Sequence, residues 1–336
     1  MIVDEVVYEH IAKRAQSYGI GNTPLKKVFT SDTGSSVYAK LEYFNRFRSI
    51  KDRAAFFMIS TAIETGQLSR DKKIIEGSSG NTGIAVAGIA GLMCFSSEIL
   101  VSAATSEETK KMIRRTGANL IEVEDEASRE GRINIDGALQ VLRKKMSDFP
   151  DDYVNLNQYA NIANTMGHYY TTGPEIVSSL KHNPSHIIVC IGTGGTITGL
   201  AKYFKDKSPS TRIIAGEPAK DHHIQGLKNL SVSETPEILR KGMGNIDAWE
   251  HVSDSEARSG VLEVLENEKL FIGLSSGANY MLARKLASST RDACIVTVFP
   301  DSAEKYYSTY TRSGLMTQEQ FRENEKLIPH PWAIPP

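Results

Sequence analysis

The order of apolar and polar residues along the chain predicts short strands and longer helices in regular succession. Residues 1–20 carry apolar side chains at helical spacing, which predicts an amphipathic helix. The apolar runs at 25–29 and 36–41 flank a glycine-containing turn at 31–34, and together they predict a hairpin of two strands.

Strands and helices then alternate over most of the remaining sequence. Strands are predicted at 73–76, 98–101, 120–123, 186–190, 212–216 and 294–299, and helices at 54–66, 84–92, 106–116, 133–149, around His168, from about 197, at 253–268 and up to 287. Residues 219–247 and the proline-rich end, 326–336, are predicted to be irregular. The alternation favours an α/β fold with parallel sheets and right-handed crossovers. The 336 residues exceed the usual size of one core, so two domains are expected.

The composition, with 40% hydrophobic and 24% charged residues, is that of an ordinary soluble globular protein. Basic residues number 39 against 40 acidic ones, so neither a nucleic-acid surface nor an anionic membrane surface is expected. No apolar run is long enough to span a bilayer, and the acidic start, with Asp4 and Glu5, does not predict a signal peptide. Cys94, Cys190 and Cys294 form no metal or disulfide pattern. We therefore expect a cytoplasmic protein without a metal site.

The segment Ser49-Ile50-Lys51-Asp52-Arg53 places a lysine just before an apolar helical run. In the simpler interpretation Ser49 caps the helix, Asp52 interacts with the helix dipole and Lys51 is a solvated charge. The alternative is that Lys51 is a nucleophilic amine. In a site that lowers its pKa, such an amine can form a Schiff base with an aldehyde cofactor such as pyridoxal phosphate (PLP). This segment alone leaves both interpretations open.

Two glycine-rich loops, each between a predicted strand and a predicted helix, are candidate anion sites. Free backbone N–H groups and the helix dipole favour an anion at such a helix start. The loop Gly77–Gly83 contains only Gly, Ser, Asn and Thr, which is more than a tight turn requires. The loop Gly192–Thr196 suits a phosphate, but it matches neither the Walker loop nor the Rossmann glycine spacing.

Other polar residues near these segments allow two interpretations each. The amide-rich loop 155–161, which includes Gln158, could bind a substrate carboxylate or only satisfy backbone groups. Arg46 and Arg48 are either solvated loop residues or, if they face the site, favour an anionic substrate. His168 is interpreted as a structural hydrogen-bond partner.

Six segments, in this order, resemble the cysteine synthase / cystathionine β-synthase family of PLP enzymes, the β family or fold type II. They are Asn22-Thr23-Pro24-Leu25, Ser49-Ile50-Lys51-Asp52-Arg53, Ser79-Gly80-Asn81-Thr82-Gly83, Thr171-Thr172-Gly173-Pro174-Glu175, Gly192-Thr193-Gly194-Gly195-Thr196 and Gly273-Leu274-Ser275-Ser276-Gly277. The resemblance extends from about Gly21 to Asp301. It implies two domains, each a mostly parallel twisted sheet flanked by helices, with PLP as the cofactor.

The resemblance also implies roles for individual residues. Lys51 would form the Schiff base with PLP, Asn81 would hydrogen-bond the ring hydroxyl, and Ser275 would face the pyridine nitrogen. The cofactor phosphate would be held by Gly192, Thr193, Gly194, Gly195 and Thr196, and the substrate carboxylate by Ser78, Ser79, Thr82 and Gln158. The implied domains are a smaller, mobile, carboxylate-binding one at 43–155 and a larger, phosphate-binding one formed by 1–42 and 156–325.

The implied reaction is β-replacement, which forms L-cysteine from O-phospho-L-serine or O-acetyl-L-serine and sulfide through an α-aminoacrylate intermediate. Arg46 and Arg48 stand where the family commonly has proline and glycine, so they are candidate substrate-binding residues that favour a phosphorylated donor, as in archaeal-type members. Synthesis of cystathionine or a diaminopropionate-type product, dehydration of threonine or serine, and a phosphate-ligand binding module without catalysis stay open. A homodimer is expected.

Overall fold

The structure is a computed structural model that describes residues 4–130, 133 and 135–328. Its strands are β1 (Leu25–Thr30), β2 (Ser36–Leu41), β3 (Lys73–Gly77), β4 (Ser97–Ser102), β5 (Asn119–Val123), β6 (Tyr153–Asn155), β7 (His186–Cys190), β8 (Arg212–Pro218), β9 (Ala248–Val252) and β10 (Cys294–Phe299). Its α-helices are α1 (Glu5–Ala15), α2 (Lys51–Glu64), α3 (Asn81–Leu92), α4 (Glu107–Arg115), α5 (Glu126–Arg129), α6 (Asp136–Asp148), α7 (Ile162–Gly167), α8 (Gly173–Leu180), α9 (Gly195–Lys207), α10 (Glu237–Gly242), α11 (Asp254–Glu268), α12 (Leu274–Ser289), α13 (Tyr307–Arg312) and α14 (Gln318–Glu325).

The described strands form two sheets. Six strands make the larger sheet in the order β1-β2-β10-β7-β8-β9, and four make the smaller sheet in the order β5-β4-β3-β6. Only β1 and β2 run antiparallel, and every other described pair is parallel. The predicted α/β fold with mostly parallel sheets is therefore confirmed.

The two central strands of the smaller sheet, β3 and β4, are buried on both faces because helices cover each side. Successive side chains of a strand point to opposite faces, so Ile74 lies in the core cluster with α3 whereas Ile75 lies in the cluster with α6. Ile99 and Leu100 of β4 divide in the same way. This double burial explains the continuous apolar runs that the sequence shows.

Each sheet falls within one of the two expected domains. The strands of the smaller sheet lie between residues 73 and 155, and those of the larger sheet at 25–41 and 186–299. Tyr8 and Ile11 of α1 nevertheless share a core cluster with α2 and α3. The domain limits and the mobility of the smaller domain stay predictions.

The structure corrects several predicted elements. The helix α2 begins at Lys51 rather than 54, and no side chain caps it, so Ser49 is not its cap. The sequence pattern does not predict β6, β9, α5, α10, α13 or α14, all of which are short. The strands β6 and β9 are half-exposed edge strands and show little alternation. The helix α6 begins at Asp136 rather than 133.

Three predictions extend outside the described residues: positions 1–3 of the first helix, position 134 and the tail from 329 to 336. None of the helices in the described part of the chain is both long and apolar enough to span a membrane. That same part contains no cluster of His, Cys, Asp and Glu suited to a metal ion.

Candidate active site

Lys51 begins α2 beside the carboxyl end of β10. The N–H of Ile50 donates to the carbonyl of Pro300 (2.9 Å), and Ser49 pairs with Asp301 in an isolated bridge. Burial lowers the pKa of the Lys51 ammonium, and the nearby Asp301 carboxylate opposes this effect only in part. An amine with a lowered pKa is suited to Schiff-base formation, whereas a solvated surface lysine would keep its ordinary pKa.

The loop that follows β7 is packed so closely that its glycines leave no room for side chains. A Cβ atom on Gly192 would lie 2.2 Å from the carbonyl oxygen of Gly226, and one on Gly195 would lie 2.1 Å from Oδ1 of Asn164. Gly194 caps α9 with a φ of 89°, in the left-handed region that favours glycine. The loop therefore presents backbone N–H groups at the start of a thirteen-residue helix, as a phosphate site requires.

The threonines of this loop bond to the segment before it. The Thr193 hydroxyl accepts from Nδ2 of Asn164 (3.2 Å), and Oγ1 of Thr196 lies 3.2 Å from Nε2 of His168. The other ring nitrogen of His168 bonds Thr172 (2.9 Å). Burial lowers the pKa of His168 to about 3, so its ring is neutral and supports the loop.

Asn81 and Ser275, the predicted partners of the PLP ring, lie at the starts of α3 and α12, and both helix starts contact Asp301. Nδ2 of Asn81 donates to Oδ2 of Asp301 (2.7 Å), and the N–H of Gly273 donates to the Asp301 carbonyl (3.1 Å). Ser275 is buried, with 7% of its surface exposed. Asp301 thus brings together two segments that are almost two hundred residues apart in the sequence.

The predicted carboxylate-binding residues lie on two neighbouring loops. The Thr82 hydroxyl donates to Oε1 of Gln158 (2.7 Å), which leaves the amide N–H groups of Gln158 as donors for an anion. The Ser79 hydroxyl accepts from the N–H of Ser102 (3.1 Å), and the Ser78 hydroxyl accepts from the N–H two residues further on (3.4 Å). The structure therefore joins Thr82 to Gln158, anchors Ser79 to the end of β4 and holds Ser78 within its own loop.

The two candidate arginines occupy different surroundings. Arg48 is buried, its Nη1 donates to the Tyr43 carbonyl (3.3 Å), and its Nε lies 3.9 Å from Oε1 of Glu304. The aliphatic part of Arg46 packs against Gly19. These contacts give Arg48 a part in the fold, and a role of either arginine in substrate binding stays a prediction.

A buried ion cluster holds the first turn of α2 in place. Arg53, two residues after Lys51, donates to the carboxylates of Glu42 (2.6 and 2.8 Å) and Glu175 (2.7 and 2.8 Å). The Thr23 hydroxyl donates to Glu42 (2.7 Å). The first and fourth segments of the resemblance, which contain Thr23 and Glu175, therefore position the helix that carries the lysine.

Local sequence patterns do not predict the polar side chains that follow β10. Nζ of Lys305 donates to Oδ1 of Asn81 (2.8 Å), and the Tyr306 hydroxyl donates to Oδ2 of Asp301. A signal for them exists, since sites in parallel α/β sheets form at the carboxyl ends of the strands. Charged and phenolic residues directly after the buried strand β10 fit that rule.

The comparisons with known proteins agree with this geometry. The model of the family "Pyridoxal-phosphate dependent enzyme" matches residues 16–301. The chain belongs to this family. It is 38% identical over 300 residues to the cysteine synthase of Aquifex aeolicus (strain VF5). The aligned region covers 86% of this chain and 89% of that protein.

Two solved structures show how far the similarity of this PLP-dependent enzyme extends. The cysteine synthase of Entamoeba histolytica has a TM-score of 0.81 at 27% identity and covers 98% of this chain and 97% of its own. The O-acetylserine dependent cystathionine β-synthase of Helicobacter pylori has a TM-score of 0.77 at 31% identity and covers 92% and 98%. The predicted fold, family and cofactor are confirmed.

The residues of the site fit PLP. Oδ1 of Asp301 is buried without a hydrogen-bond partner in the described part of the chain. A buried acceptor of this kind is expected to receive a hydrogen bond from a bound group. Lys51 supplies the amine, and the loop from Gly192 to Thr196 supplies donors for the phosphate. When bound, PLP withdraws electrons from the Cα of an amino acid attached to it.

Proposed function

We propose that this enzyme catalyses β-replacement and forms L-cysteine from an activated L-serine and sulfide. The observation that carries the proposal is that a lysine of lowered pKa, a phosphate loop and the pair of Thr82 and Gln158 lie at the carboxyl ends of strands of the two sheets. The similarity to cysteine synthases along most of the chain supports the same reaction.

In the proposed mechanism Lys51 moves the proton and the loops orient the substrate. The lowered pKa lets the Lys51 amine take the proton from the substrate Cα. Ser79, Thr82 and Gln158 bind the substrate carboxylate and so direct the Cα–H bond toward Lys51. Ser275 is a neutral hydroxyl, which does not enforce a proton on the pyridine nitrogen as a carboxylate would. This favours loss of the group on Cβ over transamination.

The identity of the activated serine is the finer part of the proposal. Arg46 and Arg48 precede Lys51 by five and three residues, and a guanidinium near the site favours O-phospho-L-serine over O-acetyl-L-serine. Because Arg48 also contacts Tyr43 and Glu304, Arg48→Ala should lower kcat/KM equally for both donors. A direct phosphate contact by Arg46 predicts that Arg46→Ala lowers kcat/KM roughly ten- to a hundredfold for the phosphorylated donor alone. In Arg46→Ala, an equal loss of kcat/KM for both donors, or no loss, would remove the reason to prefer the phosphorylated donor.

The decisive experiment is a product assay of the PLP-loaded enzyme. O-phospho-L-serine and O-acetyl-L-serine are each supplied with sulfide, homocysteine or glutamate, and Lys51→Ala serves as the inactive control. Cysteine as the preferred product supports the proposal. Cystathionine or a diaminopropionate-type product would mean that the nucleophile is homocysteine or an amine instead of sulfide. Pyruvate alone would indicate a dehydratase. A protein that stays colourless after incubation with PLP and forms no product would indicate a binding module.

We further propose that residues 43–155 close on the larger domain when the carboxylate binds, and that the enzyme is a homodimer. The closure is supported by the position of Ser78 and Ser79 on the loop between β3 and α3, and of Thr82 in the first turn of α3. X-ray scattering with and without the donor should detect a smaller radius of gyration in the complex. Sedimentation equilibrium should give twice the chain mass.

A further inference from the structure

The side chain of Asn81 is fixed by a hydrogen-bond network of three residues that follow β10, namely Asp301, Lys305 and Tyr306. Its Nδ2 donates to Oδ2 of Asp301 (2.7 Å), and its Oδ1 accepts from Nζ of Lys305 (2.8 Å). The Tyr306 hydroxyl donates to the same oxygen of Asp301. Asn81 begins α3, which follows β3 of the smaller sheet, whereas the other three residues follow β10 of the larger sheet, so this network joins the two halves at the site.

The chemistry of these partners permits one orientation of the amide. Burial lowers the pKa of Lys305, but the nearby carboxylates of Asp301, Glu304 and Asp52 oppose this effect and favour the ammonium. The ammonium of Lys305 can only donate and the carboxylate of Asp301 can only accept. If the amide of Asn81 were turned over, its NH₂ group would face the ammonium and its oxygen would face the carboxylate. Both contacts would be repulsive, so the network fixes the oxygen toward Lys305. One N–H of the amide then remains to donate to another group.

Lys305 is a buried lysine whose ammonium is fixed by two hydrogen bonds. The residue is 5% exposed, and its ammonium donates to the Arg48 carbonyl (2.9 Å) as well as to Asn81. A buried lysine is rare and persists only when its donors are paired. A cation on the amide oxygen also polarises the amide and strengthens its remaining N–H as a donor.

We propose that Lys305 is a positioning residue that makes Asn81 a hydrogen-bond donor to the ring hydroxyl of PLP. The inference rests on the proposed role of Asn81 and adds the residue that determines its orientation. By stabilising the deprotonated ring oxygen, this donor favours the form of the lysine linkage that absorbs visible light over the form that absorbs in the near ultraviolet. Lys305 acts on the cofactor only through Asn81.

The test is a double-mutant cycle with the variants Lys305→Met, Asn81→Ala and the combination of both. The readouts are the PLP dissociation constant and the visible share of the cofactor absorbance. Lys305→Met should weaken PLP binding roughly three- to tenfold, as loss of one hydrogen bond would, and lower the visible share. Lys305→Arg should stay within about twofold of the wild-type protein, because it keeps the donor. In the Asn81→Ala background, Lys305→Met should cause no further change.

A control variant and a substitute for the test variant separate this role from a general effect on folding. Lys241→Met removes an exposed lysine paired with Glu237 and should change neither readout. If Lys305→Met does not fold, Lys305→Gln takes its place in the cycle, since glutamine keeps a polar end without the charge.

Wild-type spectrum and affinity in the folded Lys305 variant would overturn the inference while the role of Asn81 stands. Losses that add up in the double mutant would also overturn it, because they would mean that Lys305 acts independently of Asn81. An unchanged spectrum and affinity in Asn81→Ala would overturn the assignment of Asn81, and the inference with it.

Discussion

Replacing Glu175 by glutamine should destabilise the protein, because its carboxylate belongs to a buried ion cluster. The side chains of Arg53 and Lys40 are both 0% exposed, and both contact Glu175 at 2.6–2.8 Å. Glu42 supplies the second carboxylate of the cluster. Two cations therefore face two anions, and a neutral residue at position 175 leaves an uncompensated buried charge.

The size of the effect follows from the pKa of Glu175. Burial alone would raise this pKa, but Arg53 and Lys40 outweigh burial and lower it from 4.5 to about 2. A tenfold change in proton affinity corresponds to about 1.4 kcal/mol, so the ionised carboxylate contributes roughly 3 kcal/mol to the free energy of unfolding at neutral pH. Because the folded-state pKa is lowered, this contribution is complete above pH 4.5 and is lost as the pH falls toward 2.

The assay is urea unfolding of the wild-type protein and Glu175→Gln at two pH values, about 7 and about 3.5. We expect the free energy of unfolding of Glu175→Gln to be about 3 kcal/mol below that of the wild-type protein at the higher pH. This difference should be about 1 kcal/mol smaller at the lower pH. Glu237→Gln is the matched control, since its carboxylate pairs with Lys241 on the surface, and it should unfold at the wild-type urea concentration. A difference under about 1 kcal/mol at neutral pH, or one that widens in acid, would refute this reasoning.

Three further substitutions test the site. Gly194→Ala should raise the PLP dissociation constant about tenfold or more, since its Cβ would lie 2.6 Å from Cβ of Leu239 at a φ of 89°; unchanged PLP retention on dialysis would contradict this. Ser275→Asp should shift the cofactor spectrum and lower the yield of cysteine, and a native rate with a native spectrum would contradict the proposed role of Ser275. Gln158→Leu should raise KM for the donor by roughly ten- to a hundredfold with a smaller effect on kcat, as steady-state kinetics will show.

Local sequence patterns predicted the parts of this protein in which the residues that bind the ligand also determine the local backbone. The strand β7 and the start of α9 follow from five apolar residues that lead into Gly192–Thr196. Glycines at such a turn have a local reason, because no other residue fits the close packing there. The edge strands β6 and β9 carry no such signal, since an edge strand buries only part of one face.

Contacts between distant residues were beyond a reading of local patterns. Arg53 and Glu175 are 122 residues apart, and nothing at either position alone indicates that they form one ion cluster. Asn81 and Lys305 are 224 residues apart, and the residues after β10 look like an ordinary polar helix start. Serine is a common helix cap, but Ser49 lies one residue too early, since Ile50 is the residue that precedes α2. The Ser49 hydroxyl instead accepts from the N–H of Lys51 within the preceding turn.

The most direct test of the account is the site of attachment of PLP. Reduction of the native enzyme with borohydride, followed by proteolysis and mass spectrometry, identifies the lysine that carries the reduced pyridoxyl group. We expect that group on Lys51, and we expect Lys51→Ala to lose both the reducible linkage and the formation of cysteine. A pyridoxyl group on any other lysine of the native protein, or full activity in Lys51→Ala, would contradict the central assignment.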